Sequence, residues 1–179
     1  MRALKLKFAV VLSAVALIAG AGPAVAQVWT DVLAYDGSFR VEMPAHPVYS
    51  KKPDETKTGQ KFTEHTYAAN PDGRGFVVQA VTFPSDIDLA DHKAKLQRVV
   101  DATADDLEGG KWADVRWTTY QGEPAADATG VQAEWPPLEI RMFVVIKDRT
   151  LFTLTFSGLR GMAQSADANR FFNSFVARR

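Results

Sequence analysis

Residues 75–83 constrain the fold most, because they are apolar on both sides at once: Phe76, Val78 and Ala80 alternate with Val77, Val81 and Phe83. Successive residues of a strand point to opposite faces, so a strand of this pattern is buried on both. It belongs in the middle of a sheet and needs something packed on each side. The turn signal Asn70-Pro71-Asp72-Gly73 leads directly into it.

The neighbouring segments read as partners for that strand. Residues 28–34 form an opening segment. Residues 38–44 alternate, with Phe39, Val41 and Met43 on one side and Arg40 and Glu42 on the other, and Pro44 and Pro47 stop the run. Residues 51–57 are charged, contain Pro53, and read as a solvated loop. Residues 60–69 read as a strand of mixed pattern. Residues 115–120 and 130–134 are two further strands, joined by a Gly-Glu-Pro turn and a polar stretch. The clearest hairpin follows: Ile140, Met142, Val144 and Ile146 alternate with Arg141, Phe143, Val145 and Lys147, residues 147–150 turn the chain, and residues 151–156 return.

Two helices complete the pattern. Residues 85–107 carry Leu89, Leu96, Val99, Val100, Thr103 and Leu107 close to one stripe, with Asp86 or Asp88 as cap and Gly109-Gly110 as a left-handed exit. Residues 165–176 form a short helix whose Phe171, Phe172 and Phe175 dock as an apolar face. Hairpin-connected strands with two helices make the fold α+β, with a mainly antiparallel β-sheet and helices packed on its faces.

The first 26 residues read as a cleavable signal peptide. Arg2, Lys5 and Lys7 precede an uncharged run over residues 8–21, and Ala24-Val25-Ala26 has the small-x-small form a signal peptidase accepts, with Ala24 and Ala26 as recognition residues. Its 14 apolar residues fall short of the roughly 18 that span a bilayer. Residues 27–179 are then one domain, exported and placed in the periplasm. The chain has no cysteine, which excludes both disulfides and a lipid-modified cysteine after cleavage. Three of the 21 basic residues and none of the 21 acidic ones lie in the leader, so the remainder carries a formal charge of −3. That balance argues against nucleic acid as a partner and gives no attraction to anionic lipid.

No residue set carries recognisable catalytic chemistry. His46, His65 and His92 lack zinc-ligand spacing, and Asp86, Asp88 and Asp91 lack a calcium loop. Ser157 precedes Gly158 and Gly161 in the wrong order for a nucleophile elbow, and that stretch reads as a connection to the last helix. Glu134 and Glu139 flank Trp135-Pro136-Pro137, but a glycosidase needs a deeper, aromatic-lined cleft than this chain gives room for. Neither a cofactor nor a metal is expected. The aromatic middle section stands out instead. Trp117 shares a strand face with Val115 and reads as core, while Trp135 beside two prolines sits on a loop, where an exposed indole makes an interface anchor.

Taken in order, several segments resemble a family of small exported bacterial domains related to PsbP and DcrB. They are residues 37–47 ending Met43-Pro44-Ala45-His46-Pro47, the doubly apolar strand with one long helix after it, the hairpin over residues 141–154, and Arg170-Phe171-Phe172-Asn173-Ser174-Phe175. Gly122-Glu123-Pro124-Ala125 departs at its last position from the Gly-x-Pro-Gly-like turn of the family. The resemblance implies a PsbP-like α/β/α sandwich and binding or accessory work, with no catalytic residue to carry over. The expected function is a non-enzymatic periplasmic protein that binds an envelope protein, with Trp135 and Trp117 or Tyr120 as contact residues. The alternative is a small-molecule carrier with a pocket between sheet and helix.

Overall fold

The computed structural model describes residues 28–56, 59–105, 107–132 and 135–178. The leader read at residues 1–26, with Ala24 and Ala26, lies outside them, as do Lys57, Asp106, Ala133 and Glu134 within the segments read above. The elements run β1 (Trp29–Leu33), β2 (Phe39–Pro44), β3 (Val48–Glu55), β4 (Lys61–Ala69), β5 (Gly75–Thr82), α1 (His92–Ala102), β6 (Asp114–Tyr120), β7 (Glu123–Val131), β8 (Leu138–Lys147), β9 (Thr150–Leu159), α2 (Ala166–Ser174) and β10 (Val176–Ala177).

Seven strands pair antiparallel in the order β3-β4-β5-β9-β8-β7-β6, and β1-β2-β10 make a second, smaller sheet. As its double-sided pattern requires, β5 lies inside the large sheet, between β4 and β9. On one face Phe76, Val78, Phe152, Leu154 and Phe156 pack against the small sheet and α2. Phe39 meets Phe152 edge-to-face at 6.0 Å, and Phe171 meets Phe76 at 5.5 Å. On the other face Val81, Met142, Val144, Ile146 and Leu151 receive Leu96, Val99 and Val100 of α1. The fold is α+β, with its large sheet covered on both sides.

Four local expectations are corrected. The loop read at residues 51–57 is mostly strand: β3 pairs with β4 from Val48↔Ala68 to Glu55↔Lys61, and Pro53 opposes Thr63. β3 is an edge strand exposed along most of its length, so it needs no apolar alternation, and charge with proline is how an edge is kept from further pairing.

The helix read at residues 85–107 is only α1. Asp91, not Asp86 or Asp88, caps it, its Oδ1 accepting from the Ala94 N–H at 2.9 Å. The preceding segment stays non-helical because Arg149 takes its carbonyls: Nε donates to Phe83 O at 3.2 Å and Nη2 to Ile87 O at 2.7 Å. Leu89 and Leu107 are buried as expected, but from outside the helix. At the far end Thr103 turns its hydroxyl back to Val99 O, and Gly109 and Gly110 take positive φ in a separate 3-10 turn.

β7 starts at Glu123, straight after a two-residue turn in which Gln121 and Gly122 have φ of 50° and 86°. It runs to Val131, so the strand expected from residue 130 starts seven residues earlier. Its small residues carry no β-branched signature, yet Ala126 and Ala128 are fully buried because α1 lies directly over them. Finally, α2 ends at Ser174, and β10 beyond it pairs with β2, a short strand that no periodicity announces.

Candidate functional site

α1 is short and lies over β7 and β8, so it leaves the flank of the sheet toward β4 open. A cleft of about 290 Å³ occupies that gap. Its floor is Phe62 of β4, Ile146 of β8 and Leu151 of β9; α1 contributes Val99, and the segment before α1 contributes Phe83, Ile87 and Leu89. The Phe62 and Phe83 rings stand 6.3 Å apart. Arg149, at the tip of the β8–β9 hairpin, holds this last wall in place. Besides the two bonds above it donates to Pro84 O, and Phe83 N donates to Arg149 O at 2.9 Å. One guanidinium thus fixes three carbonyls of a segment that has no regular structure of its own.

The mouth is polar. Lys95 and Arg98, three residues apart on α1, line the same side of the cleft. Arg98 Nε reaches only Ala94 O, at 3.3 Å, and among the described residues neither cation has a carboxylate within ion-pair distance. Asp86 and Asp88 also line the mouth; both are exposed, and Asp88 Oδ1 accepts from the Ala90 N–H at 2.8 Å. An apolar floor beneath a charged rim suits reversible binding of a small amphipathic molecule. A wider groove of about 340 Å³ lies on the opposite flank of α1, where Trp112 and Trp117 meet Gln97, Asp101 and Lys111.

The sequence-derived contact residues are not brought to one surface. Trp117 packs toward α1, with Lys93 Nζ 5.5 Å above its ring. Tyr120 belongs to the other face, where its hydroxyl donates to Phe175 O at 3.0 Å and accepts from Ala177 N at 3.1 Å. Burial pushes its phenol pKa up, partly offset by the Ala177 N–H. Trp135 is 90% exposed on the β7–β8 connection. The histidines are dispersed: His65 Nδ1 bonds Tyr49 Oη at 2.8 Å, and His92 Nδ1 lies 2.9 Å from Glu123. Glu139 accepts from the Ala163 N–H, and Arg160 pairs with Glu108 at 3.2 Å. Among the described residues, no three metal-ligating side chains converge.

Phe62, Phe83, Ile87 and Lys95 were missed as site residues. The available signal was that residues 83–89 hold Phe83, Ile87 and Leu89 between a strand and an acidic cap, more apolar content than a simple connection needs.

No protein-family model matches the chain, and no curated protein matches it in sequence. Solved structures do match in shape. The solution structure of cyanobacterial PsbP from Synechocystis aligns with a TM-score of 0.56 at 12% identity, over 90% of this chain and 99% of that one. A crystal structure from Bacteroides thetaiotaomicron aligns with a TM-score of 0.49 at 12% identity, over 83% of this chain and 48% of the other. Alignment over nearly the whole of the cyanobacterial protein and most of this chain agrees with the sequence resemblance: the chain has a PsbP-like fold.

Proposed function

We propose that the protein is a non-catalytic binding domain, exported to the periplasm, that carries a small molecule in the cleft between its large sheet and α1. The observation that carries this reading is the cleft itself: seven apolar side chains from three strands, one helix and one clamped segment converge on a space of about 290 Å³. That is close to the roughly 300 Å³ at which small-ligand sites begin. The binding and accessory work implied by the PsbP and DcrB resemblance supports it. The basic, apolar and small-residue order of residues 1–26 supports export, and none of the described helices is long and apolar enough to cross a membrane.

The test is native mass spectrometry of protein recovered from the periplasm. The expected result is a chain starting at Gln27 with a small molecule attached, lost when Val99→Trp fills the cleft. A bare chain in both proteins, with small apolar probes failing to raise the melting temperature, would overturn the reading.

Trp135 favours a second reading, docking of an envelope protein. An indole 90% exposed beside Pro136 and Pro137 presents a large anchor to a partner. Crosslinking in living cells would then capture one specific partner, and Trp135→Ala would abolish its capture without altering the fold.

A further inference from the structure

We infer that the molecule held in the cleft is an amphipathic anion, with an apolar chain or ring on the sheet and an anionic headgroup at Lys95. This rests on the carrier reading above and names its ligand class.

The cleft volume of about 290 Å³ admits a short chain or a single ring system rather than a large cofactor. Its floor of Phe62, Ile146 and Leu151 is apolar, and the Thr56 hydroxyl, also in the lining, donates to Gln60 Oε1 at 2.5 Å rather than standing open to a ligand, so the part of the ligand on the sheet is hydrocarbon. The headgroup is decided at the mouth. Lys95 is half-buried and has no carboxylate partner among the described residues. An ammonium partly withdrawn from water and left unpaired favours an incoming anion. Arg98 lines the same side but is exposed, so water screens its charge and the preference rests on Lys95.

The acidic rim residues do not cancel this. Asp86 and Asp88 are both exposed, so water screens them, and the Asp88 carboxylate is already engaged by the Ala90 N–H. The less exposed of the two cations, Lys95, therefore sets the preference. Carboxylate and sulfate headgroups share the chemistry that Lys95 recognises.

The experiment titrates refolded protein, free of anything carried from the cell, with octanoate, octyl sulfate, 1-octanol and octyltrimethylammonium, followed by amide chemical shifts. Octanoate or octyl sulfate is expected to shift Leu89, Val99 and Leu151 and to bind about tenfold more tightly than 1-octanol, the increment of one charge-assisted hydrogen bond. Whichever anion binds more tightly identifies the headgroup source. Lys95→Met should bring the anion down to the affinity of 1-octanol while leaving 1-octanol unchanged, and Lys95→Glu should make octyltrimethylammonium the preferred ligand. Equal binding of neutral and anionic probes, or anion binding indifferent to Lys95, overturns the anion while leaving the carrier reading standing. Failure of all four probes to perturb the cleft overturns the carrier reading, and the anion with it.

Discussion

Arg141 shows how much one residue can organise. It is only 8% exposed, yet Nε and Nη2 hold both oxygens of Asp127 at 3.0 and 2.9 Å, Nη1 reaches Asn169 Oδ1 at 2.8 Å, and the guanidinium lies 4.4 Å from the centre of the Phe172 ring. It ties β7 and β8 to α2. Arg141→Met should cost about 3 kcal/mol in urea denaturation, because Asp127 stays largely buried with only the exposed Arg116 as partner. Lysine should not restore the loss, since it lacks the two-pronged geometry. Arg116→Ala should cost less than about 1 kcal/mol. The alternation of the hairpin correctly puts Arg141 on the side away from Met142, but sequence alone could not show that this side is buried. Its partner sits in the polar stretch that looked like a connection. Tyr120 carries a second residue-scale prediction. Burial raises its pKa above the unfolded value of about 10, so the folded state holds its proton longer than the unfolded state. The resulting stability is fully present below about pH 10 and is lost as the pH rises through the folded pKa. Tyr67 shifts in the same direction, burial again leading. Tyr120→Phe should cost about 1 kcal/mol at neutral pH through its lost hydrogen bonds and should flatten part of the alkaline decline in denaturation midpoints measured from pH 8 to 11.

At the scale of elements, α1 tests which signals decide a helix boundary. Asp91→Ala should destabilise the protein by about 1 kcal/mol, as removal of a working cap does, whereas Asp86→Ala should stay within about 0.5 kcal/mol. Chemical denaturation of both variants separates the two. The stripe of Leu96, Val99 and Val100 was legible because 3.6-residue periodicity is a local property. The boundary was not legible, because residues 83–90 are kept out of the helix by Arg149, some sixty residues later in the chain. The same division holds for strands. β5, β8 and much of β9 announce themselves through apolar alternation that their own burial demands. β3 and β7 do not: one is an exposed edge with nothing to bury, and the other needs alanines so that α1 can approach. The cleft was anticipated as a pocket between sheet and helix, but its lining was not, since it arises from the shortness of α1 and from one arginine clamp rather than from any motif.

At the scale of the whole molecule, the two faces of the large sheet are covered unequally, and that inequality has a dynamic consequence. One face is closed by a second sheet, α2 and two sets of ring contacts, Phe39 with Phe152 and Phe175, and Phe76 with Phe156 and Phe171. The other is closed by an eleven-residue helix that contributes three buried side chains and borders the cleft. A helix of that length is marginal on its own, so its persistence depends on this modest packing. Opening α1 exposes few apolar groups, whereas separating β5 from β9 breaks both cores at once. Native-state hydrogen exchange should therefore show α1 amides exchanging through a local opening at clearly lower free energy than amides of β5, β8 and β9, which should exchange only on global unfolding. Uniform protection across α1 and the central strands would mean that the helix unfolds with the sheet and that the cleft is a rigid feature. If α1 does open first, saturating the cleft with octanoate should raise protection in α1 and in residues 83–90 more than in the small sheet. Ligand binding stabilises those openings that destroy its site, and the small sheet lies across the molecule from it.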